Sequence, residues 1–449
     1  MDSNPTRFQR WADLLALNRT VAVVLATVLF FGLGEQLWES FMPVYLEAQT
    51  KEFVEQAEAA AGGEFSPAPD DSLATHAPSP NTGSLSLQAL VIIGLYAFLR
   101  NLFEGICYIG GGQITARLGD RGSLILFALL TLAGYTMFLA CSSSLMTIVA
   151  ALLILGWEPL SVPVTFTTVG SSVEPARQGM AFAIQSIQKR LPKVIGPLLA
   201  GSVITYFQVR RGSAELGRIA GMQLLVAVAL ALGIISLIIQ FCWMPHRKTE
   251  PHDSDSWPIV RSFHPTLRRL LIADILTRWC DWLVREFVVV YVLLTLGQTD
   301  AYYGLILVPL QHLTALATYL PIGGMTRRVG LQPFIGLTFI CFALFPLSLA
   351  WSPSGWGLTI AFIIYGLREI GEPARKALIT SLMPEPVRAR GVGLYWGLRS
   401  FAICGSSLVG AWLLYSFGPQ ALFYVAFAFG CLGAGVFYLF VSRTEVRAS

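Results

Sequence analysis

The chain has 449 residues, of which 54% are hydrophobic and only 13% charged, with a mean hydropathy of +0.62. A soluble domain carries about 25% charged residues, so half the expected charge is missing and the composition excludes an ordinary water-soluble assembly. The formal net charge of +4 is too modest to point to nucleic acid as a partner.

Three arginines (Arg7, Arg10 and Arg19) precede an apolar run over 20–45. A cleavable signal core would be about 7–15 residues long, whereas this run is long enough to span a bilayer, so it is expected to be a first helix and a retained anchor. Residues 46–86 follow, with seven acidic side chains against the single Lys51 and then a stretch rich in Pro, Ser and Ala. Such a segment buries too little apolar surface to fold alone, and a largely disordered outer loop is expected. Eleven further apolar segments are each long enough to cross the hydrocarbon core, which takes about 20 residues. They are 87–111, 123–141, 145–169, 179–207, 219–243, 269–295, 301–323, 333–351, 356–380, 391–416 and 420–441, numbered here with the first as spans 1 to 12. A polar bridge over 244–268 divides them into a first six-span bundle within 1–243 and a second within 269–449. The expected fold class is therefore an all-α polytopic membrane protein of twelve transmembrane helices in two six-helix bundles.

Orientation follows from Lys and Arg placement. With both termini cytoplasmic, sixteen of the 31 basic residues fall in inner segments, four in outer loops (Lys51, Arg210, Arg211 and Arg218) and eleven inside spans. The seven cysteines show no metal-ligand or disulfide spacing, and no metal or cofactor is expected.

The two halves echo one another. Gly112 to Gly119, reading GQITARLG, matches Gly323 to Gly330, reading GGMTRRVG. Gly156 and Pro163 match Gly366 and Pro373, and Glu35 and Tyr45 match Asp281 and Tyr291 once the long first loop is allowed for. Two halves in the same orientation imply a pseudo-twofold axis along the membrane normal. The loop after span 2 resembles the signature of the major facilitator superfamily: Gly112, Arg117, Gly119 and Arg121 occupy its places, and Gly323, Arg328 and Gly330 repeat them. The usual acidic residue before the first arginine is Ala116 here and Arg327 in the second copy, with Asp120 displaced within the loop. The resemblance implies the twelve-helix major facilitator fold and a gating role for these loops. Gly196-Pro197 with Gly201 in span 5 is similar to the glycine-proline motif of proton-coupled efflux members, and reads equally as a kink with close packing.

Twenty charges lie inside spans. Each costs about 2.5–3.5 kcal/mol at mid-bilayer, together far beyond an ordinary stability of about 5–15 kcal/mol, so they are expected to face one another or a watery cavity. Spans 3, 6, 9 and 12 carry none, which suits a lipid-facing shell. Span 7 carries Asp274, Arg278, Asp281 and Arg285 within about 60° of one face, each Asp four residues before an Arg. Span 10 carries Arg368, Glu369, Glu372, Arg375 and Lys376; Arg375 and Lys376 are read as reaching the inner interface. Span 5 carries Lys189, Arg190 and Lys193 with no acid in the same helix, to be met by Glu35, Glu158, Glu372 or an anionic ligand. Span 2 offers Arg100 with Glu104, span 1 Glu35 with Glu39, span 4 Glu158 and span 11 Arg399. The expected substrate and coupling cavity is built from these groups, with Asp274, Arg278 and Arg375 assigned to gating; a structural network that merely holds helices together is the competing reading. Glu35, Glu39 and Glu158 have no basic partner one turn away and are the candidate proton carriers, and His312 in span 8 is expected to be a core histidine.

No phosphate-binding Gly-Lys-Ser/Thr loop, Gly-x-Ser-x-Gly elbow or His-Glu-x-x-His pair occurs. The sequence thus favours a monomeric secondary transporter in the cell membrane, moving a small anionic or zwitterionic organic solute with a proton by alternating access. A proton-coupled drug or metabolite efflux antiporter is the alternative within that class, and a membrane sensor or intramembrane enzyme the alternative outside it.

Overall fold

The computed structural model describes residues 19–60, 86–141, 143–162, 175–244, 263–351, 355–382 and 388–442, and among these it contains helices and no strand. The chain is an all-α polytopic membrane protein with twelve spans in two six-helix bundles. Span 1 runs through Arg19–Gln36, a 3-10 turn at Glu39–Phe41 and Met42–Ala60. Leu87–Ala140 holds spans 2 and 3, and Ser144–Leu155 opens span 4, which continues to residue 162. Spans 5 and 6 are Pro175–Arg211 and Ala214–Trp243. Span 7 is Pro265–Val290 with a π segment at Tyr291–Thr295, and span 8 is Asp300–Tyr302, a π segment at Tyr303–Leu307 and Val308–Val329. Span 9 is Gln332–Trp351, span 10 is Gly355–Leu367 with Glu372–Ser381, and span 11 opens with Arg388–Ile403. Ser406–Phe440 then completes span 11 and forms span 12.

Helices this close leave little chain for turns, and glycine makes the turns possible. Gly119 (φ +70°) alone reverses the chain between spans 2 and 3, and Gly330 (φ +87°) does so between spans 8 and 9. The left-handed region costs a residue with a Cβ about 1–2 kcal/mol, and the repeat read from the sequence places both glycines at equivalent positions. Gly112 and Gly323 lie inside the helices that precede these turns.

Residues 46–60 depart from the expected disordered loop, because the helix of span 1 continues to Ala60. Glu47 is buried and pairs with Lys51 at 2.5 Å, which also reaches Glu215 of span 6 at 3.1 Å. A cross-helix partner thus holds an acidic segment that composition alone leaves unfolded. The rest of that segment, 61–85, lies outside the described residues, as do Pro163 and most of the bridge between the halves. The bundle's two ends are named here for these connections, the long-loop side and the linker side.

Packing differs between the two ends. One hydrophobic core joins both halves toward the long-loop side, with Trp38, Phe41, Tyr96 and Phe138 meeting Phe287, Tyr303, Phe345 and Phe362. Toward the linker side each half has its own core, around Phe31, Phe127 and Trp157 in the first and Phe339, Tyr395 and Phe437 in the second. The charge-free spans turn aliphatic side chains outward, among them Leu129, Leu224, Ile234, Ile238, Ile340, Leu344 and Leu432. Trp351, Trp356, Trp412, Tyr415 and Tyr424 stay exposed at the long-loop end of the second half, the place of an interfacial aromatic belt.

Spans 7 and 11 approach so closely that a Cβ on Gly410 would lie 2.2 Å from the Leu283 carbonyl oxygen, whereas one on Gly435 would meet nothing within 4 Å. Gly410→Leu is therefore expected to destabilise the purified protein by at least about 1–3 kcal/mol, the usual cost of overpacking. Gly435→Leu should leave its thermal unfolding unchanged, and equal melting of the two variants would contradict this packing.

Candidate functional site

Four spans break their helices at mid-depth, and the breaks position the charged groups. Span 1 turns at Leu37–Trp38 between Glu35 and Glu39, span 4 at Gly156 just before Glu158, span 10 over 368–371, and span 11 at Cys404–Gly405. Unpaired backbone groups inside a bilayer are tolerated only where protein or a water-filled cavity satisfies them. In span 10 Thr338 takes over part of this task, its hydroxyl accepting from the Gly371 N–H at 2.6 Å. Because Arg368 and Glu369 sit on that turn, the charges of span 10 do not share a single helix face.

In the first half Arg100 pairs with Glu39, and Lys189 with Glu158 at 3.4 Å. The second half holds a denser network. Arg368 pairs with Asp281, and Arg375 with Asp274 and, at 2.6 Å, with Glu372. Arg278 lies between Asp274 (3.9 Å), Asp281 (3.7 Å) and Glu372 (3.6 Å), and Arg399 reaches Asp274 at 3.6 Å. Tyr365 donates to Asp281 at 3.3 Å while its ring lies 3.7 Å beneath the Arg368 guanidinium. Three contacts cross between the halves at this depth: Arg190–Glu369 at 2.9 Å, Arg100–Glu286 at 3.6 Å and Arg285–Glu39 at 3.8 Å.

Two cavities, each of about 240 Å³, open between the halves. The first is lined by Arg190, Arg368, Glu286 and Glu369 together with Gln36, Ser40, Tyr303, Gln311 and His312. The second is lined by Glu35, Glu104, Glu158, Lys189, Lys376 and Arg399 with Tyr108 and Trp396. Glu39, Arg100, Lys193, Arg278, Arg285 and Glu372 line both. Within this shared wall Lys193 has no carboxylate within 4 Å among the described residues. Arg285 has only Glu39 at 3.8 Å and Glu286 at 3.9 Å, beyond hydrogen-bond range, and stacks on Trp282 at 4.6 Å. Glu35 likewise has no cation within 4 Å among the described residues. Exposure rises toward the linker side, from 11% for the Glu39 side chain to 45% for Glu158 and 53% for Lys376.

The long-loop end is closed by a different pair. Arg218, from the start of span 6, donates through Nε and Nη2 to the two carboxylate oxygens of Asp300 at 3.0 Å each, and Gln208 adds a third donor at 2.8 Å. Charge-assisted bidentate pairs of this kind are the strong ones. Phe41 meets Tyr303 edge-on beside it, and the Gly201 and Gly304 backbones touch.

Every residue the sequence assigns to the cavity lines one of the two chambers except Asp281, which lies behind Arg368. Four pairing expectations are corrected. Asp281 takes Arg368 rather than Arg285 one turn along its own helix, and Arg100 takes Glu39 and Glu286 rather than Glu104. Arg190 meets Glu369, which was not among its expected partners. Arg375 is buried between two carboxylates instead of reaching the interface, as Lys376 does. His312 faces the first cavity and is not enclosed in the core. Among the signature-loop residues, Arg121 donates to the Phe241 carbonyl at 2.7 Å and so ties the loop to span 6, Asp120 is buried and Arg117 is exposed. The Arg328 side chain lies outside what is described. Sequence reasoning missed Glu286, Trp282, Tyr303 and the Arg218–Asp300 pair. Glu286 was readable as a charge inside span 7, the residue directly after Arg285, whereas Arg218 and Asp300 look like loop charges until the fold joins them.

No protein-family profile and no curated protein sequence matches the chain, but solved structures match nearly its whole length. The D-xylose-proton symporter superposes with a TM-score of 0.66 at 14% identity, covering 95% of this chain and 98% of that one. The human organic anion transporter MFSD10 (TETRAN) gives 0.65 at 16% identity, covering 93% and 98%. The nucleoside transporter NupG gives 0.64 at 11% identity, covering 93% and 99%. The fold is the major facilitator fold. In it the central charges converge from spans 1, 2, 4 and 5 of one half and 7, 10 and 11 of the other. Among the described residues no group of three or more metal-binding side chains is placed to hold an ion.

Removing one partner of a buried pair leaves an uncompensated charge, at a cost of about 3–5 kcal/mol. Arg368→Met is accordingly expected to lower the thermal stability of the purified protein sharply through Asp281, and the added change Asp281→Asn to recover much of the loss. Equal stability of the single and double variants would contradict the pairing.

Proposed function

We propose that the chain is a secondary transporter of a small organic anion, coupled to protons and working by alternating access. The carrying observation is the shared cavity wall, where Lys193 from one half has no carboxylate within 4 Å among the described residues and Arg285 from the other has only the long contacts to Glu39 at 3.8 Å and Glu286 at 3.9 Å. An anion bridging them would gain charge-assisted hydrogen bonds and would report its presence to both halves at once. The organic anion transporter and the sugar–proton symporter among the similar structures support this class of activity.

Alternating access then has a physical basis. The halves share a core and the Arg218–Asp300 pair at the long-loop side, while toward the linker side each has its own core and Glu158 and Lys376 are the most exposed of the site charges. Rocking would break the first set of contacts and close the second, with the bridge over 244–268 joining two bundles that move as units. The basic residues of the linker side favour the cytoplasm, and hence a cell membrane with both termini inside. Glu35 is the carboxylate best placed to carry the proton. It lines the second cavity and, unlike Glu39 and Glu158, has no cation within 4 Å among the described residues.

In proteoliposomes holding the purified chain, Lys193→Gln and Arg285→Gln are each expected to lower anion uptake at least about tenfold, as befits one charge-assisted hydrogen bond. Glu35→Gln should abolish accumulation driven by a pH gradient while preserving anion exchange. Uptake unchanged in all three variants would overturn the reading.

A further inference from the structure

The first cavity carries a set of neutral polar groups that the charge network leaves unused. Ser40 stands in the 3-10 turn of span 1, Tyr303 in the π segment of span 8, and Gln311 and His312 farther along span 8. All four line the cavity, and none of their side chains is hydrogen-bonded to another described residue. They comprise two hydroxyls, an amide and an imidazole, so the wall both donates and accepts. A wall built for further anionic groups would offer donors only, and one built for a hydrophobic body would offer none, because an apolar ligand would strip water from all four and leave them unsatisfied. Ligand hydroxyls are the groups that match a mixed set. Lys193 and Arg285 line the same cavity.

We propose that the substrate is a small polyhydroxylated carboxylate, a sugar acid or hydroxy acid. Its carboxylate lies between Lys193 and Arg285, and its hydroxyls are read by Ser40, Tyr303, Gln311 and His312. The assignment rests on the anion-transport reading and narrows it. A hydrogen-bonding site rejects analogues that lack the hydroxyl more strongly than an apolar pocket rejects an added one, so selectivity itself reports the wall.

The test uses the full chain in proteoliposomes with labelled gluconate and glycerate as probes. Hexanoate and propionate, of equal carbon number without hydroxyls, and glucose, with hydroxyls and no charge, serve as competitors. Gluconate or glycerate is expected to be taken up, with the three competitors at least about a hundredfold weaker. Tyr303→Phe and Gln311→Leu should each raise the KM for the hydroxy acid about fivefold to tenfold and leave inhibition by hexanoate unchanged. Hexanoate competing as well as gluconate, or both variants behaving as the parent, would overturn the hydroxyl assignment while leaving anion transport standing. Glucose competing equally would overturn the placement of the carboxylate. If none of the acids is taken up or shifts the thermal stability of the purified chain, while an unrelated organic anion is transported, the substrate class is wrong; if no organic anion of any kind is transported, the underlying reading fails with it.

Discussion

Ionised side chains cannot be left facing acyl chains, and in this protein twenty of them sit in the apolar segments that the sequence marks as spans. The solution is geometric. Four spans of the first half and three of the second keep the charges inward, every third span is left purely apolar, and the two halves close around the result. Most charges then find partners from other helices, as Arg100 does with Glu39, Arg190 with Glu369 and Arg375 with Asp274 and Glu372. Among the described cavity residues, Lys193 on the cation side and Glu35 and Glu104 on the acid side are left without an oppositely charged group within 4 Å, and Arg285 keeps only long contacts to Glu39 and Glu286.

The same constraint accounts for the interrupted helices. A straight helix satisfies its own backbone and presents side chains at fixed angles. A turn such as that over 368–371 frees backbone groups, and it is affordable only beside Thr338 and a wet cavity. It lets Arg368 reach Asp281 while Glu369 reaches Arg190 in the other half. The local disorder of the helix is thus what connects the two networks, one inside the second half and one between the halves.

Much of the fold was legible in the sequence because lipid imposes strong rules on length and charge. The spans, their division into two halves and the apolar outer shell follow from hydropathy, and the paired glycines Gly119 and Gly330 carry the repeat into backbone conformation. The membership of the cavity was legible for the same reason, since a charge in a span has few places to go. Pairing was not. Spacing along one helix predicts Asp281 with Arg285, whereas a shorter contact from span 10 takes Asp281 and leaves Arg285 loose. Helix breaks were also invisible, because Gly366, Gly371 and Gly156 are ordinary in membrane helices until the neighbouring backbone is known. The neutral residues Ser40, Tyr303 and Gln311 carry no charge signal and emerge only once the cavity has walls.

If the halves move against one another around this shared interior, a reversible clamp across the long-loop side must stop transport. A Cβ on Gly94 of span 2 would lie 3.1 Å from that of Ala411 in span 11, close to the roughly 3.5–4.5 Å that a disulfide takes. With the native cysteines replaced, Gly94→Cys and Ala411→Cys together should form a bridge on oxidation that halts anion flux, and reduction should restore it. Undiminished flux through the oxidised, fully bridged protein would contradict the account.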